Sequence, residues 1–164
     1  MATTAQLLKR YGNPAASPAA QAAFARQWLV RYTFPAWLVP HFPPAPGMPG
    51  RLTRQWLNQD IVAPFEAVLH ELVKTGLIRE LKTYDGGWVV RNMRGTSVPS
   101  RHSWGLAVDF NAQLHPLGVA WGSRPGMFSA AFLAVWRQYG WSCGADWQAP
   151  RSDAMHFEYT RHLL

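Results

Sequence analysis

His102, Asp109 and His156, with Asp153 and Glu158 beside the last, are the residues of this chain whose types and spacing add up to chemistry. They fall in two short stretches: Ser100-Arg101-His102-Ser103-Trp104-Gly105-Leu106-Ala107-Val108-Asp109 and Asp153-Ala154-Met155-His156-Phe157-Glu158. Two imidazoles and one carboxylate make a three-ligand set that leaves a further position for water, and Zn²⁺ is the natural occupant of such a set. Asp153 lies in a loop entered through Pro150. From there it can reach the attacking water without being a ligand, take its proton and pass it to a leaving amine. Glu158 can anchor an imidazole N–H behind the metal. The expected chemistry is metal-assisted hydrolysis of an amide.

Such a site needs two strands and a turn to assemble it. Leu106 to Phe110 alternates, placing Leu106, Val108 and Phe110 on one face and Ala107 and Asp109 on the other. Gly105 permits a sharp turn that folds His102 back beside Asp109. Met155 to Thr160 alternates again, with Met155, Phe157 and Tyr159 on one face and His156 and Glu158 on the opposite one. If both apolar faces pack on one core, the three ligands converge on the open side.

The rest of the chain supplies that core. Ser17 and Pro18 read as the cap and first position of a helix running to about Tyr32 and ended by Pro35. Residues 40–50, rich in proline, read as an irregular loop. Asp60 can cap a second helix, whose Ile61, Val62, Phe65, Val68, Leu69, Leu72 and Val73 share a face and which Gly76 stops. Leu77 to Leu81 and Trp88 to Val90 read as short strands around the turn Asp85-Gly86-Gly87, and Ser129 to Tyr139 as a third helix. This order predicts a single α+β domain over residues 1–164, in which a small antiparallel sheet carrying the metal site packs with about three helices. Residues 1–50 form an Ala/Pro-rich helical segment and 84–159 the metal-site core. His41, His70, His115 and His162 have no comparable setting and read as structural or solvated.

Bulk properties narrow the partners. A hydrophobic share of 48% excludes a disordered tail. No apolar run is long enough to span a membrane, so stable membrane insertion is not expected. The opening residues lack the basic-then-apolar pattern of a secretory leader, which reads as synthesis in the cytoplasm. Cys143, the single cysteine, rules out an internal disulfide and a Cys-based zinc finger. The net charge of +7 calls for an anionic partner. Its arginines are scattered rather than blocked, which favours an anionic cell wall over nucleic acid, for which no motif is present. A monomer is expected.

The patterns Ser-x-His-x-x-Gly-x-Ala-x-Asp (Ser100 to Asp109) and Asp-x-Met-His-Phe-Glu (Asp153 to Glu158) resemble the zinc D-alanyl-D-alanine carboxypeptidase and endolysin family, peptidase family M15. Gly140 to Trp147 is similar to the Gly-rich, Trp-containing turn that precedes the last motif there. The resemblance covers about Tyr84 to Tyr159. It implies a hedgehog/D,D-peptidase-like fold, Zn²⁺ held by His102, Asp109 and His156, and Asp153 as catalytic base. It also implies an arginine upstream of the first motif that binds substrate and steadies the oxyanion. Arg91 and Arg94 both fit; Arg91 is preferred because it directly follows the Trp88 to Val90 segment, leaving Arg94 as a substrate contact. The family's commoner Ser-Gly-Tyr-Arg form of this element is absent. Ser100 could hydrogen-bond the substrate, and Trp104 and Trp147 could wall the cleft. The implied substrate is the stem peptide of peptidoglycan. Family members remove terminal D-Ala or cut between L-Ala and D-Glu. A small basic chain without a leader or wall-binding domain fits the phage endolysin type, cutting L-Ala-D-Glu after release across the membrane. A D-Ala carboxypeptidase is the alternative, and a non-catalytic zinc domain that binds cell wall the third reading.

Overall fold

The computed structural model describes residues 1–161 and 163, so His162 lies outside the described residues. The chain opens with a helix the sequence reading passed over, α1 (Thr4–Tyr11). Its start is a capping box: the Thr3 hydroxyl accepts from the Gln6 N–H, and the Gln6 side chain returns to the Thr3 N–H. Leu7 and Tyr11 are its buried positions.

Helix α2 (Pro18–Trp28) begins as expected, with the Ser17 hydroxyl accepting from the Ala20 N–H. It ends at Trp28 rather than near Tyr32. Leu29-Val30-Arg31-Tyr32-Thr33 becomes a strand, β1 (Leu29–Thr33), paired antiparallel with β2 (Arg54–Asn58). The branched and aromatic residues of that run favour a pleated surface over a further helical turn.

Helix α3 (Val62–Lys74) buries Phe65, Val68, Leu69 and Leu72. Its cap differs from the expectation. The Asn58 side chain accepts from the Asp60 N–H at 3.0 Å, opening a short 3-10 turn that leads into the helix. The Asp60 carboxylate instead accepts from Arg10 at 2.9 Å and from the Tyr11 hydroxyl at 2.7 Å, tying α1 to the turn that leads into α3. Leu77–Glu80 is a 3-10 turn, not a strand, entered through left-handed Gly76. Trp88 to Val90 is not a strand either; the strand in this region is β3 (Tyr84–Gly86).

The second sheet has the order β3-β4-β6-β5, all antiparallel, with β4 (Ala107–Phe110), β5 (Ser142–Cys143) and β6 (His156–Glu158). Helix α4 (Ala130–Gln138) precedes β5 and is capped by Ser129. Val108, Phe110 and Phe157 are fully buried, and the two phenylalanines meet Trp136 of α4, whose ring stacks on Phe157 at 4.3 Å. Each such buried side chain contributes roughly 1.5–3 kcal/mol. One face of β4 and β6 is therefore fixed by the core, and the pleat sends the alternate residues to the other face.

Candidate metal centre

Strands β4 and β6 put the site together by register. Asp109 lies directly opposite His156, and Ala107 opposite Glu158, so Asp109, His156 and Glu158 share the face turned away from the core. His102 comes from the turn Arg101–Trp104, opened by Ser100, whose hydroxyl accepts from the His102 N–H at 3.4 Å. Gly105 closes that turn at φ +63°, and a Cβ there would stand 2.9 Å from both the Asn58 nitrogen and Leu29. Glycine is required twice over, for the left-handed conformation and for the close approach to β2.

Three ligating atoms converge. His102 Nε2 lies 3.2 Å from His156 Nδ1 and 3.2 Å from an Asp109 oxygen, and His156 Nδ1 lies 3.0 Å from the other Asp109 oxygen. The outward ring nitrogens are spent. His102 Nδ1 meets the Gly87 carbonyl at 2.6 Å, and His156 Nε2 meets Glu158 at 3.1 Å. A carbonyl and a carboxylate only accept, so those nitrogens carry protons and both inner nitrogens are turned toward Asp109, where they could offer lone pairs to a metal. Donor atoms crowded this closely share a cation, either the protons of the hydrogen bonds to Asp109 or a metal ion in their place. Donors about 2.0–2.1 Å from a tetrahedral zinc stand roughly 3.3 Å apart, close to the spacing here. The residues fit the metal.

The electrostatics follow from burial and pairing. Burial pushes Asp109 up, but hydrogen bonds from His102 and His156 outweigh it and hold the carboxyl well below the usual carboxylate range. Burial pushes His156 down, yet Asp109 and Glu158 reverse this and raise it well above an ordinary imidazole. Asp153 is different. Desolvation raises its pKa, and its Oδ1 is buried without a hydrogen-bond partner. The loop that presents it is set by Gly144: the Asp153 N–H donates to the Gly144 carbonyl at 3.0 Å, and a Cβ on Gly144 would overlap the Asp153 carbonyl.

The three ligating residues and Asp153 open into one cleft of about 790 Å³. Arg91, Arg94, Ser100, Trp147, Arg151 and Met155 line it. The backbone of Arg91 is pinned to the metal-site turn: its N–H donates to the Ser103 hydroxyl at 3.0 Å, and its carbonyl accepts from that hydroxyl at 2.7 Å. Arg94 sits in the following loop. Two expectations fail. Trp104 is no cleft wall, being fully buried with its indole N–H donating to the Gly12 carbonyl at 2.9 Å. Met155 lies before β6 and lines the cleft instead of the core. Trp147 does reach the site, with its ring 5.2 Å from that of His156. His115 is buried against Phe128, far from this chemistry in character, and burial lowers its pKa to about 4. The reading missed Arg101 and Arg151, which also line the cleft; each directly adjoins a motif residue or its loop, the one signal available.

Residues 94–159 match the family model for D-alanyl-D-alanine carboxypeptidase of the M15 type. This stretch of the chain is similar to peptidase family M15. The M15 segment contains all three candidate ligands and Asp153, while Arg91 falls just before it and Arg94 at its first residue. Neither a curated protein nor a solved structure matches the chain. Together, the M15 match and the His102–Asp109–His156 cluster support a metal-dependent peptidase acting on peptidoglycan.

Proposed function

We propose that the protein is a zinc peptidase that hydrolyses an amide bond inside the peptidoglycan stem peptide, between L-Ala and D-Glu, in the manner of a phage endolysin. The observation that carries the hydrolytic reading is the pairing, in one cleft, of three converging ligand atoms with the Asp153 carboxylate, one oxygen of which is buried and unpartnered. His102, Asp109 and His156 hold Zn²⁺, which when bound supplies Lewis acidity to the scissile carbonyl and to the attacking water. Asp153, lifted by desolvation, takes the proton from that water and returns it to the leaving amine. Arg91 stands at the developing oxyanion, and its field already reaches Asp153.

The cleft's charge supports the choice of bond. Among the described residues no ion pair holds Arg91, Arg94 or Arg151, and all three line the cleft. A terminal D-Ala-D-Ala offers a single free carboxylate to these three cations. A stem peptide cut ahead of D-Glu offers the D-Glu carboxylate and any acidic groups beyond it. The D-Ala carboxypeptidase reading is favoured by the description of the matching family.

Mass spectrometry of products from purified sacculi separates these readings. New D-Glu amino termini that vanish with chelator are expected; release of single D-Ala residues would make the enzyme a carboxypeptidase. Asp153→Ala should keep zinc affinity within a few-fold and lose roughly 10²–10⁴ in turnover. Substantial activity in that variant would remove Asp153 from the mechanism. A wild-type protein that binds sacculi and zinc but releases nothing would leave a wall-binding domain.

A further inference from the structure

Arg101 lies between Ser100 and His102 and lines the cleft, yet its donors are turned inward. Its Nη1 donates to the Thr4 hydroxyl at 3.1 Å and its Nη2 to the Ala2 carbonyl at 3.5 Å. The guanidinium carbon stands 5.9 Å over the Trp104 ring. Its Nε, buried, faces Glu158 Oε1 at 3.7 Å, a charge contact longer than a hydrogen bond. The other oxygen of Glu158 is the one that accepts from His156 Nε2. One carboxylate therefore bridges the arginine and the imidazole, with one oxygen for each.

The N-terminal segment grips this pair from behind. The Ala2 N–H donates to the Thr160 carbonyl at 3.0 Å, two residues past Glu158, while its own carbonyl takes Arg101. Thr4 is the first residue of α1, and Gly12, just past the end of that helix, takes the Trp104 indole. Both ends of α1 are thus fastened to the turn that carries His102.

We propose that Arg101, held in place by residues 2–4, is a positioning residue that aims Glu158 and through it the His156 imidazole. The inference rests on the metal-site reading above. With Nη1 and Nη2 each donating to the N-terminal segment and Nε facing Glu158, Arg101 is held for positioning rather than offered to substrate. A carboxylate behind a ligating imidazole fixes the ring's tautomer and direction, and losing such support costs roughly 10–100-fold in metal affinity. Arg101 restrains that carboxylate from sliding off the imidazole.

The test is Co²⁺ and Zn²⁺ affinity by competition with a chromogenic chelator, together with the Co²⁺ absorption spectrum, on the full chain. Arg101→Gln should lose roughly tenfold in affinity and shift the Co²⁺ bands. Thr4→Val, which leaves the arginine in place, should lose less in the same direction. The double variant Arg101→Gln/Glu158→Gln should bind no worse than Glu158→Gln alone, since one acts through the other. Wild-type affinity and spectrum in Arg101→Gln would overturn the inference, as would losses that multiply in the double variant. Should Arg101→Gln not fold, Thr4→Val with and without Glu158→Gln gives the same comparison, and multiplying losses there overturn it equally. A wild-type protein that takes up no metal would overturn the proposed function as well; tight binding by wild type and Arg101→Gln alike would overturn only this inference.

Discussion

The M15 segment, residues 94–159, and the N-terminal region, residues 1–58, do opposite work in this molecule. The first holds nearly all the groups with chemistry: three ligand atoms, Asp153, Glu158 and Arg151. The second offers the cleft none of its residues, yet it closes the back of the site. β2 runs so close to Gly105 that no side chain fits there. Ala2 and Thr4 hold Arg101, and Gly12 holds Trp104. The segment that carries the motifs is incomplete without a region that carries none.

The sharpest way to break that comparison is to remove a ligand. His156→Ala should cost on the order of 10³-fold or more in zinc affinity and abolish turnover, with the fold kept. Circular dichroism and chelator competition check both. Unfolding of the metal-free variant would mean that the chemistry face also carries the structure. Damage on the other side should look different. Leu7→Ala opens a cavity under α1 and should cost about 2–5 kcal/mol in a single cooperative denaturant transition. A loss below about 1 kcal/mol would make α1 an appendage rather than part of the body.

A smaller effect tests the strain held at Asp153. Its folded pKa is raised, so the folded state binds its proton more tightly than the unfolded one. Its contribution to stability therefore falls as pH rises through the ordinary carboxylate range toward that raised value. Asp153→Asn should stabilise the metal-free protein at neutral pH by about 1 kcal/mol, the cost of a buried unpaired group, and flatten this dependence. Equal melting curves for the two proteins at pH 7 would show that the carboxylate is satisfied in solution.

The two regions also differed in how far the sequence revealed them. Alternation over Leu106 to Phe110 and around His156 placed Asp109 and His156 on one face, and the register of β4 against β6 puts them opposite each other. Period-two patterning is a strong signal where one face is buried. The N-terminal region had no such signal. The Thr3-x-x-Gln6 box that starts α1 is a cap without a long apolar stripe behind it, and the end of helix α2 at β1 also depends on a partner strand, β2, some twenty-five residues on. Asp60 looked like a cap because local spacing allowed it, but Arg10 and Tyr11 claimed its carboxylate from fifty residues away. Trp104 read as a cleft wall beside His102, whereas the left-handed turn at Gly105 sends it into the core. Local pattern reveals faces; it does not reveal which distant element will cover them.

A crystal structure of the zinc-loaded protein, with anomalous scattering at the zinc edge, tests the central claim most directly. One zinc is predicted about 2.0–2.2 Å from His102 Nε2, His156 Nδ1 and an Asp109 oxygen, with Asp153 facing it but not bonded. Zinc bound elsewhere, or ligated by Asp153 in place of any of the three, would contradict the account.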